Sequence, residues 1–371
     1  MAGRLWTARL IFVLSGVGIS TWALLVPFAK IKFHLSDGRL GSILFIASIG
    51  GVLATFLAGL ALARWGSRTC TIVTLLLMCL SLPVLNWSPS ISLFTILLFL
   101  YSANFGVLDV SINAQGTVIE ALSGRLQLSG FHASFSLGTL AVGLAASFLF
   151  KLGVTLEWLC ILCMWVILLG LTQSFRLLPK RYEAPKTDQH FVLPNRRTII
   201  LGLCCLATFM CEGASMDWST IFLHFSRHML LDDAVLGYAA FTAGTALTRL
   251  TGDRLAMRLG PPNLMRLGVI MAISGFALII LVPSGIAGVL GFGLVGFGSG
   301  NITPLVFSAA SRVPGMSARH SMPIVVGLGY IGFLTGPAMI GAVSSYFSLG
   351  TAFGVDGVLL GLTFFAARYV N

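Results

Sequence analysis

The residues with most chemistry to offer lie between Leu97 and Glu120, in the stretch LLFLYSANFGVLDVSINAQGTVIE. It sits within a hydrophobic run long enough to cross a bilayer, yet it carries Asn104, Asp109, Ser111, Asn113 and Gln115. On a helix, Ser102, Gly106, Asp109, Asn113, Gly116 and Glu120 share one face. An ionised carboxylate near mid-membrane costs roughly 2.5–3.5 kcal/mol on insertion scales. Such a group persists only where it faces other protein or a water-filled cavity. Two readings follow. Asp109 titrates a proton or binds a ligand, or an Asp109–Asn113 pair ties helices together.

Other apolar segments carry further candidates. Glu212 joins Thr208, Ser215 and Ser219 on one helical face, which makes Glu212 and Ser215 cavity-lining candidates; the alternative for Glu212 is a structural ion pair. Asp217 points about 140° away at 100° per residue, beside Trp218, and suits an outer-gate or interfacial pair. His132 shares a face with Ser136, Thr139 and Gly143. Its reference pKa of about 6.5 suits a proton relay. However, at 1.5 Å per residue His132 and Asp109 differ by roughly 8 Å in depth, so a structural histidine stays open. Trp22, on a stripe with Ser15 and Gly18, either stacks on a planar ligand or belongs to an interfacial aromatic belt. Asn301 follows a glycine-rich run and precedes Pro304, whose ring frees a backbone carbonyl, so Asn301 is a candidate ligand contact.

Composition defines the elements that must hold these residues. Hydrophobic residues make up 57% of the chain and charged ones 9%. Soluble domains carry about 25% charged residues, so the chain reads as an all-α integral membrane protein. A membrane β-barrel would alternate every second residue, and these segments do not. The formal charge of +11 does not point to nucleic acid, because the basic residues sit in short loops between apolar spans. The seven cysteines, including Cys160, Cys163, Cys204 and Cys205, lie in apolar runs without metal-ligand or redox-loop spacing. They read as packing residues, and neither a metal nor a cofactor is expected. The first apolar run, Leu10 to Ala29, exceeds the 7–15 residues of a signal-peptide core and reads as a membrane span.

Hydropathy places twelve spans near 8–30, 39–62, 69–87, 91–120, 128–150, 155–177, 197–223, 234–257, 263–283, 286–311, 319–346 and 350–369. The polar stretch after the sixth divides the chain into residues 1–178, a cytoplasmic linker at 179–196, and residues 197–371. Arg4, Arg9, Arg64, Arg68, Arg125, Arg176, Lys180, Arg181, Lys186, Arg196, Arg197, Arg254, Arg258, Arg266, Arg312, Arg319 and Arg368 fall on one side of the membrane. Lys30, Lys32, Arg39, Lys151 and Arg227 fall on the other. The positive-inside rule then puts both termini and the linker in the cytoplasm.

The loop after the second span reads GLALARWGSR and the loop after the eighth reads GDRLAMRLGP. Gly59, Arg64 and Gly66 match Gly252, Arg258 and Gly260 at nearly the same spacing, with Arg68 extending the first loop. This direct repeat of two six-span halves resembles the major facilitator superfamily over essentially the whole chain. The family's loop signature carries an aspartate where this chain has Ala63 and Met257; Asp253, four residues after Arg249, is the expected substitute ion-pair partner for that arginine. GVLDVSINAQG resembles the segment of fucose-permease-type sugar/proton symporters in which an acid precedes an Asn by four residues, with SGFHASFSLG and GNITPLVFSAA also similar. EGASMDWS resembles a branch of poorly characterised inner-membrane permeases.

By this resemblance the chain is a secondary transporter of a small polar, sugar-like solute in the inner membrane, a monomer in contact with lipids. Asp109 would carry the proton and Asn113 would touch substrate. Glu212 and His132 are the further proton-coupling candidates; Trp22, Asn301 and Ser215 are the further substrate contacts. Rocking of the halves about a central cleft would alternate access, with Asp109 neutralised by a proton before the cavity closes. Proton-coupled efflux and a transport-dead sensor remain alternatives. An intramembrane enzyme built on Asp109, His132, Glu212 and Asp217 is disfavoured, since HExxH and GxSxG patterns are absent from the sequence.

Overall fold

A computed structural model describes residues 2–123, 127–174 and 193–370. Most of the expected linker lies outside these residues. All the described elements are helical: α1 (Ala2–Lys32), α2 (Asp37–Trp87), α3 (Ile91–Ser123), α4 (Leu128–Lys151), α5 (Leu156–Ser174), α6 (Arg196–Ile221), α7 (Leu231–Leu259), α8 (Pro261–Leu281), α9 (Gly285–Ser299), α10 (Ile302–Ala310), α11 (Ala318–Tyr346) and α12 (Leu349–Ala366). Among the described residues, ten helical stretches are long and apolar enough to cross a membrane. The all-α membrane architecture expected from hydropathy is therefore present.

Three spans depart from the expected ranges, each for a backbone reason. The second and third join into the 51-residue α2, interrupted only at Gly66 (φ 79°, ψ 151°). The matching Gly260 adopts φ 78°, ψ 149° at the end of α7. Side-chain-bearing residues avoid this conformation, so glycine makes the turn in both loops. The second loop separates into two helices because Pro261 and Pro262 lack the N–H groups that would carry hydrogen bonding across it. The tenth span breaks at Gly300–Asn301 into α9 and α10.

The chain forms two compact units, one of residues 1–35 and 43–186 and the other of residues 36–42 and 187–371. In the first unit α1 packs on α4, where Gly16 meets the Phe135 carbonyl and Gly138 meets the Val13 carbonyl. There α3 crosses α2 with Gly106 against the Gly51 carbonyl. The second unit repeats the arrangement. Gly332 and Gly336 of α11 sit on the Leu206 and Met210 carbonyls of α6, and Gly244 of α7 and Gly296 of α9 sit on the carbonyls of Gly293 and Phe241. Small residues at these crossings let backbones approach where lipid supplies no hydrophobic drive between helices.

Polar ties complete each unit. Tyr101 donates to the Gly18 carbonyl at 2.9 Å and Asn104 to the Thr74 carbonyl at 2.8 Å. Gln115 donates to Ser67 at 2.7 Å, pinning α3 to the residue after the Gly66 turn. In the second unit Trp218 donates to the Pro337 carbonyl at 3.1 Å.

The helix crossings give opposite predictions for one substitution. Gly296→Ala drives a methyl group into the Phe241 carbonyl and should cost about 1–3 kcal/mol. Gly327, inside α11, has nothing within 4 Å of an added Cβ, so Gly327→Ala should gain about 0.5–1 kcal/mol of helix stability. Melting of the purified variants in detergent should therefore shift in opposite directions; shifts of the same sign would contradict the packing.

Candidate functional site

In the first unit α3 carries the polar stripe. Leu108, Ile112 and Ile119 are buried and anchor the helix, and the backbone turn places Asp109 and Asn113 one above the other. The Asn113 amide nitrogen donates to the Asp109 carbonyl at 2.9 Å and to Asp109 Oδ1 at 3.1 Å. The two residues the sequence singles out are thus joined on one helix, with Asp109 half-buried. Ser111 lies on another face and accepts from Thr71 at 3.0 Å, a tie between α3 and α2. Glu120 accepts from the Gln127 N–H at 2.6 Å and closes the connection to α4.

The other first-unit candidates are distributed around this helix. His132 of α4 is half-buried, edge-on to Phe12 at 5.4 Å between ring centroids. Trp22 is buried, with 7% exposure, among Phe94 and Tyr101 at 6.3 and 6.1 Å. Arg64 lies over the Trp65 ring at 5.7 Å on the exposed side of the Gly66 turn. Arg68 is half-buried beyond that turn, and Gly59 has nothing within 4 Å of an added Cβ.

The second unit contains an ion pair between helices. Arg249 of α7 reaches Glu212 of α6 at 3.3 Å, with side-chain exposures of 22% and 14%. The same guanidinium approaches the Gly300 carbonyl at 3.4 Å through Nε. A helix break leaves carbonyls without their usual N–H partners, and Arg249 supplies a donor to one of them. Asn301, buried at the break, rests its amide on Gly252 of α7, where a Cβ would leave it no room. Its Nδ2 has no hydrogen-bond partner among the described residues. The expected partner Asp253 has its side chain outside the described residues; among the described residues Arg249 pairs with Glu212. Arg258 is exposed beside the Gly260 turn. Ser215 is fully buried. Asp217 is half-buried near the outgoing end of α6, where the helix widens into a π-turn over Phe222–Ser226.

The sequence reading omits Asp356. It stands in GVDGVLL on α12, is 0% exposed, and neither carboxylate oxygen has a partner among the described residues. The rule that singles out Asp109, an acid within an apolar span, would have found it. Among the described residues there is no group of three His, Cys, Asp or Glu side chains that could hold a metal ion.

The Arg249–Glu212 pair predicts non-additive stability. Arg249→Gln alone strands a buried carboxylate and should cost toward the lower end of about 3–5 kcal/mol. Adding Glu212→Gln should restore part of that loss. A double variant that melts below the single one would show that the pair is not coupled in this way.

Comparisons with known proteins extend the picture beyond the geometry. A family model described as Major Facilitator Superfamily matches residues 10–330. An uncharacterised MFS-type transporter of Yersinia pestis is 36% identical over 366 residues, covering 98% of this chain and 95% of that protein. The membrane protein MosC of Rhizobium meliloti is 28% identical, covering 92% of this chain and 84% of that protein. Among solved structures, a point mutant of the nucleoside transporter NupG superposes with a TM-score of 0.80 at 14% identity, covering 99% of both chains. A point mutant of the E. coli fucose:proton symporter FucP gives 0.64 at 16% identity over 99% of this chain and 98% of that one. At those identities the structures speak for the fold alone. The family match over most of the sequence and the relative along nearly all of it establish that this chain belongs to the major facilitator superfamily.

Proposed function

We propose that the protein is a proton-coupled symporter for a small, neutral, hydroxyl-rich solute, with Asp109 carrying the proton and Asn113 sensing its state. The observation that carries this reading is the Asn113 amide bonded to Asp109 Oδ1 at 3.1 Å inside a membrane-spanning helix. An amide donor stabilises the ionised carboxylate. Protonation weakens that bond and frees the Asn113 amide for a solute oxygen. Proton and solute binding are then linked through one side chain, and the linkage is reciprocal.

A neutral solute fits the charge distribution. Glu212 and Arg249 neutralise each other, so that pair adds no net charge to the second unit. The nucleoside transporter NupG and the fucose:proton symporter FucP have similar folds, which supports sugars and nucleosides as the first compounds to screen. Asn301 at the break and Ser215 are the further contacts in this proposal; His132 and Glu212 support proton movement rather than carry it. Trp22 can stack on solute only after its contacts with Phe94 and Tyr101 open. Alternating exposure of a site between the two sides of the membrane is the mode of action. We further propose an inner-membrane monomer with both termini cytoplasmic, on the asymmetry of its Lys and Arg residues.

Proteoliposomes provide the test, with a pH dye outside and a panel of sugars, nucleosides and amino acids added in turn. One compound should make the outside alkaline as protons enter with it. Asp109→Asn should abolish that signal and lower uphill accumulation at least about tenfold, while leaving solute exchange across the membrane measurable. Undiminished proton uptake in Asp109→Asn would remove the residue from its role. Acidification outside on adding solute would point to exchange in the opposite sense and overturn symport.

A further inference from the structure

A cleft of about 690 Å³ opens in the second unit at the end where α6 finishes, and neither the ion pair nor the α9/α10 break lines it. Its walls come from the π-turn after α6, the last turn of α8 and the first half of α12. Two glycines one turn apart on α12 keep it open. An added Cβ at Gly350 would meet only Ser348 Oγ, at 3.7 Å, and one at Gly354 only Ile280 Cδ1, at 3.7 Å. Beyond them Val355, Val358 and Leu359 form an apolar wall, with the two valines exposed. From Ser348 to Val358 this wall runs about 15 Å at 1.5 Å per residue, the depth of one leaflet's hydrocarbon.

The mouth of the cleft is polar and positive. Arg227 lines it together with Ser226, Ser348 and Thr351. Arg227 Nη2 donates to the Ile279 carbonyl at 2.6 Å and the Ile280 carbonyl at 3.3 Å, and Nη1 donates to the Ser226 carbonyl at 3.3 Å. The Phe222 ring lies 4.7 Å from the guanidinium carbon. These contacts fix the group at the end of α8, where carbonyls lack N–H partners. They leave Nη1 a second N–H, and because carbonyls are neutral they leave the charge uncompensated. No Asp or Glu lines the cleft. The N-terminus of α12 opens at the same mouth, and its dipole adds to the positive field.

Charge and shape together select the occupant. A soluble anion would answer the arginine but leave the apolar wall uncovered, and an uncharged tail would do the reverse. A zwitterionic headgroup would bring an ammonium to a mouth with no carboxylate to receive it. We propose that the cleft binds one anionic phospholipid of the phosphatidylglycerol type. Its phosphate sits on Arg227, its glycerol hydroxyls reach Ser226, Ser348 and Thr351, and one acyl chain lies along Gly354, Val355 and Val358. Basic pockets between membrane helices recognise anionic headgroups in this way. The lipid belongs to the leaflet at the outgoing end of α6, the outer one in the orientation proposed above. This site goes beyond the symport reading and stands without it.

The test follows the melting temperature of the purified full chain in a neutral detergent as lipid is added. Phosphatidylglycerol should raise it saturably by at least about 2 °C, phosphatidylcholine with the same chains should give less than about half that gain, and inorganic phosphate should give none. Arg227→Gln, which keeps a donor for the Ile279 carbonyl but not the charge, should lose most of the gain. Gly354→Leu fills the cleft and leaves the arginine's carbonyl bonds in place, so it should lose the gain as well, which an arginine that only caps α8 would not predict. Asp109→Asn should keep the gain in full. Should Gly354→Leu fold poorly, Gly350→Leu at the mouth takes its place. Equal gains from the two lipids would overturn the headgroup assignment, and a glycine variant with the wild-type gain would overturn the cleft. An equal gain from inorganic phosphate would make it a free-anion site and overturn the lipid.

Discussion

Everything in this fold is arranged around the cost of a polar group with no water to bond to. Helices satisfy their own backbones, so the spans themselves are inexpensive. The exceptions are the breaks and the polar side chains, several of which find a partner within their own unit. Gly300 ends α9 in the middle of a span, and Arg249 approaches its carbonyl at 3.4 Å. Arg249 is itself a charge in apolar surroundings, and Glu212 answers it at 3.3 Å. The α9/α10 break, the arginine and the glutamate form one linked arrangement, in which a change at one member is felt by the other two.

The same constraint explains why the two units repeat their backbones but not their chemistry. Close helix approach needs small residues at fixed places, so glycines recur at equivalent crossings, Gly16 and Gly138 in one unit and Gly332 and Gly336 in the other. The turn glycines Gly66 and Gly260 share φ and ψ to within a few degrees. Side chains are not bound by that symmetry. The first unit places an acid and an amide one turn apart on a single helix, while the second distributes an acid, an arginine and a broken helix over separate elements. The two units share a backbone frame and carry two different polar centres on it.

How far the sequence discloses this follows from the same physics. Hydropathy reveals the spans because a membrane helix needs about 20 apolar residues, a property local to the segment. The Asp109–Asn113 pair is legible because its partners are four residues apart. The Arg249–Glu212 pair is not: the two residues lie 37 positions apart on separate helices, and only packing brings them together. The fusion of the second and third spans also escapes, since a single glycine with positive φ replaces a loop that hydropathy draws as several polar residues. Asp356 is as open to the sequence as Asp109, being an acid within an apolar span, but Val355 and Gly357 beside it supply no polar companion that would mark a face.

The two acids therefore pose different chemical problems. Asp109 has a donor on its own helix at 3.1 Å, and α3 carries that pairing wherever it moves. Its protonation can change what Asn113 offers to a solute without rearranging the fold. Asp356 has no such companion on α12 among the described residues, and neither of its carboxylate oxygens has a partner there. The state of Asp109 is therefore set within one turn of α3, whereas that of Asp356 depends on how the helices of its unit pack around α12.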